Sequence, residues 1–106
     1  MIRSAWLALS LLAAAPLAVG DVIPGARQGE LVELLIQDCG SCHGLQMKGG
    51  LGPALLPASL QGKSAGYLSA VILNGRPGSA MPAWNGLLSP AEARWIAERL
   101  LQPDLP

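Results

Sequence analysis

The chain has 106 residues, with seven Lys or Arg, seven Asp or Glu and one His, for a formal net charge of zero. That balance, without a basic run, excludes a charge-driven nucleic-acid binder, and the length allows one small domain. With no Phe, three Trp and one Tyr, the chain is short of the bulk that a domain of this size needs to fill its own core.

Residues 1–20 open with Arg3, run through the apolar "AWLALSLLAAA" of residues 5–15 and reach "PLAVGD". One basic residue, a short apolar stretch and a small-x-small site form the layout of a secretory leader. Ala18 and Gly20 take the small positions, which places cleavage between Gly20 and Asp21. The competing reading is a retained membrane anchor, but the apolar run falls short of the ~20 residues that span a bilayer. The expected product is one domain over residues 21–106. Removing Arg3 leaves six basic against seven acidic residues.

After the Pro/Gly-containing "IPGA", the stretch "GELVELLIQDC" (29–39) places Leu31, Leu34 and Leu35 at helical spacing, with Val32 and Ile36 widening the face. Residues 44–64 are rich in Gly and Pro and predict a long ordered loop. A second helix is expected over 65–74, with Ser64 as N-cap and Gly75 as its stop. A second Gly/Pro loop, "GRPGSAMPAWNGL", follows. The last element is the best signalled. Ser89 precedes Pro90, and Glu92 stands three residues after the cap, the pattern of a capping box. Ala93, Ile96, Ala97, Leu100 and Leu101 share a face, Arg94 and Glu98 can pair at i,i+4, and Trp95 falls outside the stripe. The closing "QPDLP" reads as a short tail. Strand signals are absent, so the class is all-α: three or so short helices joined by long loops.

Both cysteines and the only histidine fall in "CGSCH", residues 39–43. A disulfide between Cys39 and Cys42 would close a tiny loop and stabilise little. A thioredoxin-type pair belongs in a βαβ setting, and a structural zinc needs a fourth ligand that the Cys and His count cannot supply. The remaining reading is C-x-x-C-H as a c-type haem attachment site. Two thiols three residues apart can form thioethers to one haem, and the adjacent His43 reaches the iron. A buried porphyrin would also supply the missing core volume.

A metal-bound imidazole needs its second nitrogen held. Pro53, ten residues beyond His43, offers a carbonyl for that role; its plainer reading is a turn-former. For the sixth ligand there is no second His. Met47 is four residues from His43 and badly placed to reach the opposite face. Met81 lies 38 residues downstream in a loop. Packing is the ordinary use of a loop methionine, but with a haem to ligate Met81 is the best donor.

These motifs together resemble the class I monohaem cytochromes c. The match runs over nearly the whole of residues 21–106: helix, "CGSCH", "GLGPAL", a middle helix, "MPAW" and a capped last helix. The resemblance implies a cytochrome c-like fold in which the first and last helices cross and the loops enclose one covalent haem c. It makes Cys39 and Cys42 the thioether sites, His43 and Met81 the axial ligands, and Pro53 the residue that orients His43. Members often place a small residue and an aromatic at the helix crossing. Here the first helix offers Leu31 and Leu35, and the last offers Trp95.

"DCGSCHGLQMKGGLGPAL" and "ILNGRPGSAMPAWNGLLSPAEARWIAERLL" look, more narrowly, like the NirC-type periplasmic cytochromes associated with cytochrome cd-type nitrite reductase. The resemblance implies a periplasmic one-electron carrier in denitrification, not an enzyme, donating to that reductase. The partner is then a redox protein, with no nucleic acid, no stable membrane association after leader cleavage, and a monomer expected. Two alternatives stay open: an accessory in biogenesis of the reductase's haem d, and a haem sensor or weak peroxidase whose Met81 detaches.

Overall fold

In the computed structural model, which describes residues 10–14 and 22–103, the chain turns helical at Gly25 and stays so through His43. This first arm has three parts. An α-helix over Gly25–Leu34 (α1) leads into a π-helical turn over Leu35–Cys39, and a short α-helix over Gly40–His43 (α2) ends it. The helix starts four residues ahead of the expected 29–39 span. Pro24 brings a backbone φ of −58° that already suits a helix start, and its carbonyl accepts the Gln28 N–H at 2.9 Å.

The π turn changes what the arm presents. The Gly40 N–H bonds the Leu35 carbonyl, five residues back, so the buried face advances by four residues and then by five: Leu31, Leu35, Gly40. An unbroken α-helix would have turned Cys39 under Leu35. Here Gly40 takes that place, and Cys39, Cys42 and His43 are half-buried on the flank.

The two later helices follow their expected boundaries. Helix α3 spans Ala65–Asn74, capped by Ser64 Oγ, which accepts the Tyr67 N–H at 3.0 Å. Helix α4 spans Pro90–Leu100 and starts with the capping box: the Glu92 N–H donates to Ser89 Oγ at 3.1 Å, and the Ser89 N–H to Glu92 Oε1 at 2.9 Å. Arg94 and Glu98 pair at 3.0 Å on the solvent side. A 3₁₀ turn over Pro57–Leu60 interrupts the long loop. There is no strand among the described residues, and the architecture is all-α as expected.

Helix α4 packs against both α3 and α1. One hydrophobic cluster holds Leu31 and Leu35 of the first arm, Leu68 and Ile72 of α3, and Ala93, Ile96, Ala97 and Leu100 of α4. Met47, Leu60 and Leu88 enter it from the loops. Fully buried leucines such as Leu31 contribute about 1.5–3 kcal/mol each. An ion pair from Arg27 of α1 to Glu92 ties the first helix to α4, and Arg27 also reaches Glu30 at 2.8 Å.

At the helix crossing the small residues sit elsewhere than expected. Ala93 and Ala97 of α4 are fully buried in the cluster with Leu31 and Leu35. Trp95 is half-buried and lines a depression with Gly25, Gln28, Gly29 and Val32 of α1, its ring 6.0 Å from the Arg99 guanidinium carbon. The aromatic of α4 therefore faces glycines of α1, beside the leucine contact. No helix among the described residues is long and apolar enough to cross a membrane. The Gly20–Asp21 boundary and the last three residues of the tail lie outside the described residues.

Candidate functional site

Cys39 ends the π-helical turn and Cys42 lies in α2, three residues on and about one helical turn away, with His43 at the end of α2. The two thiols are not bonded to each other. Burial, with a smaller push from neighbouring Asp38, raises the Cys39 thiol to about 11. It is therefore a protonated thiol at neutral pH, unlike the low-pKa thiolate of a dithiol redox pair. Among the described residues no three His, Cys, Asp or Glu side chains converge on a metal ion, which leaves the zinc reading without support.

The loop after α2 folds back over its end. A helix C-terminus leaves carbonyls without partners, and here loop amides supply them. The Gly49 N–H donates to the His43 carbonyl at 2.7 Å, and the Gly52 N–H to the Cys42 carbonyl at 2.8 Å. So close an approach needs residues without side chains. A Cβ on Gly50 would lie 2.9 Å from the Cys42 carbonyl oxygen. Gly44 and Gly49 hold φ values of +92° and +101°, which glycine adopts without strain.

This wrapping brings the Pro53 carbonyl to 2.7 Å from His43 Nδ1. A carbonyl can only accept, so the proton sits on Nδ1 and the Nε2 lone pair is free for a metal. Gly52 completes the seat. A Cβ there would stand 2.9 Å from both Nδ1 and Cε1 of His43, so the backbone lies directly against the ring. Sequence reading singled out Pro53 and passed over Gly52. The signal was present in the Gly-Pro pair, but it reads as a turn until the ring is in place.

Met47 is 4% exposed and belongs to the core cluster. Its methyl carbon lies 3.5 Å from where a Gly40 Cβ would be, at a backbone φ of +58°. Its side chain packs against Gly40 at the start of α2. Met81 is half-exposed in the loop after α3. Its carbonyl accepts the Arg76 N–H at 3.2 Å, and its N–H donates to Ser79 Oγ at 3.3 Å. The loop is anchored to α3 by the Trp84 N–H on the Ile72 carbonyl, 3.1 Å, and the Asn85 N–H on the Leu73 carbonyl, 3.2 Å.

The donor set fits a haem. Two thiols stand about one helical turn apart, an imidazole is held with Nε2 free, and a thioether stands on a second, anchored loop. Apolar side chains are displayed beside the histidine: Leu51, next to Gly52, is 94% exposed and Leu45 is 63% exposed. Solvated leucines of this kind are what a large apolar cofactor would cover.

Comparison with known proteins agrees with that chemistry. The family profile described as "Cytochrome C oxidase, cbb3-type, subunit III" matches residues 26–98. Cytochrome c55X of Pseudomonas aeruginosa is 52% identical over 102 residues, covering 94% of this chain and 86% of the relative. A solved structure of the c-type cytochrome NirC superposes with a TM-score of 0.76 at 51% identity, covering 78% of this chain and 98% of that one. Dihydro-heme d1 dehydrogenase of Pseudomonas aeruginosa is 38% identical over 100 residues, which span 94% of this chain but 19% of that protein. A histidine held with Nε2 free beside two unpaired thiols, on a fold shared with NirC at half-identical sequence, makes this chain a member of the c-type cytochromes: a haem-binding electron-transfer protein of the NirC, or cytochrome c55X, type.

Proposed function

We propose that the mature chain runs from Asp21 and carries one haem, joined by thioethers to Cys39 and Cys42. His43 and Met81 would hold the iron, and the Pro53 carbonyl would orient His43. The supporting observation is the 2.7 Å bond from His43 Nδ1 to Pro53, which commits one ring nitrogen and frees the other. The haem supplies the one-electron chemistry. The protein's residues hold the iron's ligands in place, and a thioether ligand favours the reduced state relative to a second imidazole. With His43 and Met81 both holding the iron, no position would be left for a substrate, so in this reading the protein would act as a carrier and not as an enzyme.

In this reading the protein works in the periplasm as a monomer and passes electrons to a cytochrome cd-type nitrite reductase. The similarity to NirC and cytochrome c55X supports it. The similarity to Dihydro-heme d1 dehydrogenase favours a second reading, in which the protein serves assembly of the reductase's special haem. Stopped-flow mixing of reduced protein with the oxidised reductase separates the two. Donation predicts oxidation much faster than by an unrelated cytochrome c. With six basic and seven acidic residues after leader removal, the rate should also depend only weakly on ionic strength. No advantage over the unrelated cytochrome sinks donation and leaves the assembly role.

A further inference from the structure

We propose that Gly75 is a positioning residue for Met81, fixing where the thioether is presented. The inference rests on the axial role of Met81 proposed above. Gly75 is buried at the C-terminus of α3 with φ +65° and ψ −167°, a region open essentially to glycine alone. A Cβ built there would lie 2.7 Å from the carbonyl carbon of Pro82, and 2.8 Å from Met81 O and Ala83 N. All three are backbone atoms. No side-chain rotation relieves such a contact, so the peptide carrying Met81 must move as a unit, by roughly 0.8 Å to regain normal separation.

The loop has little freedom to absorb that shift elsewhere. Next to Gly75, the Arg76 N–H holds the Met81 carbonyl, and the Arg76 carbonyl accepts the Ser79 N–H at 3.0 Å. Beyond Ala83, the Trp84 and Asn85 amides are pinned to the last turn of α3. Met81 thus sits between two anchors, and Gly75 is the surface that the segment between them rests on. A ligand bond to a metal is sensitive to displacements of this size, whereas attachment through Cys39 and Cys42 is remote from them.

An ordinary helix-ending glycine would also tolerate poorly a side chain, so the test must separate strain from contact. Gly78 lies in the same loop at φ +81° with nothing within 4 Å of its would-be Cβ. Gly78→Ala therefore imposes the positive-φ strain without the contact, and Gly75→Ala imposes both. Gly75→Asn is the companion variant, a second side chain that sets a Cβ against the same backbone atoms. Each haem-loaded variant is examined for the weak sulfur-to-iron band of the ferric spectrum, for reduction potential and for carbon monoxide binding. Gly75→Ala and Gly75→Asn should retain covalent haem, lose the band, fall in potential and bind carbon monoxide, while Gly78→Ala keeps the wild-type spectrum. Retention of the band and potential in both Gly75 variants overturns the inference. Failure of both to carry haem, with Gly78→Ala normal, also overturns it, because Gly75 would then be a folding residue. A wild type without the band removes the Met81 ligation reading itself, and this inference with it.

Discussion

Replacing Gly52 by Ala should raise the reduction potential of the haem protein. Gly52 is not among the positive-φ glycines, so the backbone accepts Ala and the perturbation is purely one of contact. The new Cβ would stand 2.9 Å from Nδ1 and Cε1 of His43, about 0.6 Å inside the ~3.5 Å at which carbon atoms normally meet. A ring displaced by that much carries Nδ1 with it. Its 2.7 Å bond to the Pro53 carbonyl then opens towards the ~3.2 Å limit of a good hydrogen bond. That bond makes the imidazole more basic and so favours the oxidised iron; loosening it favours the reduced iron. If the whole net worth of a hydrogen bond, about 0.5–1.5 kcal/mol, appeared in the couple, the shift would be roughly +20 to +60 mV. Equilibrium redox titration measures it, and faster exchange of the Nδ1 proton by NMR should accompany it. Gly29→Ala, where nothing lies within 4 Å, is the control and should leave the potential alone while stabilising α1 by about 0.5–1 kcal/mol. An unchanged potential and unchanged exchange in Gly52→Ala would refute the seating of the ring by this backbone.

Met81→Ala should keep covalent haem, lose the sulfur-to-iron band, lower the potential and open the iron to carbon monoxide; Met47→Leu, which preserves core volume, should do none of these. If the two variants exchange behaviours in the ferric spectrum, the ligand assignment is wrong. Glu92→Gln removes the charge facing Arg27 and should cost about 0.5–1 kcal/mol at neutral pH, or a few degrees in Tm. The Arg27 guanidinium, helped by the Ser89 N–H, holds the Glu92 carboxyl below its usual range. Its contribution is therefore complete above about pH 4.3 and lost as pH falls through the lower folded value. Thermal melts of wild type and variant should differ by a constant amount from pH 8 to 5 and converge in acid. Convergence at alkaline pH instead would contradict the assigned partner.

The later half of the chain was legible because its signals are local. Ser64, Gly75, Ser89, Pro90 and Glu92 are caps and stops whose chemistry acts within one turn, and α3 and α4 begin and end where those residues require. The c-type character of the chain was legible for the same reason: five adjacent residues, "CGSCH", exhaust its Cys and His. The first arm was read less well. Hydrophobic periodicity at 3.6 residues finds Leu31 and Leu35, but it does not reveal a π turn whose extra residue substitutes Gly40 for Cys39 on the buried face. Gly50 and Gly52 were passed over as part of a glycine-rich loop, and Gly75 was read only as a helix stop. Their importance lies in what approaches them from elsewhere in the chain: the Cys42 carbonyl, the His43 ring and the Met81–Ala83 backbone. Sequence composition marks such a stretch as a loop. Only tertiary contact shows which glycine is indispensable. At the helix crossing, Trp95 was seen to leave the apolar stripe, but its glycine neighbours on α1 come from residues that carry no hydrophobic signal.

The central claim is a single iron with both axial positions filled by this chain, exchanging one electron. A spectroelectrochemical titration of the wild-type haem protein at neutral pH, run with and without carbon monoxide, tests it most directly. A permanently six-coordinate carrier gives one wave with the ~59 mV-per-decade slope of a one-electron couple, at the same potential under both gases. A wave that moves upward under carbon monoxide, or that splits into components, would mean that the iron has an open or exchangeable position and that the protein is a ligand-binding haem protein instead of a carrier.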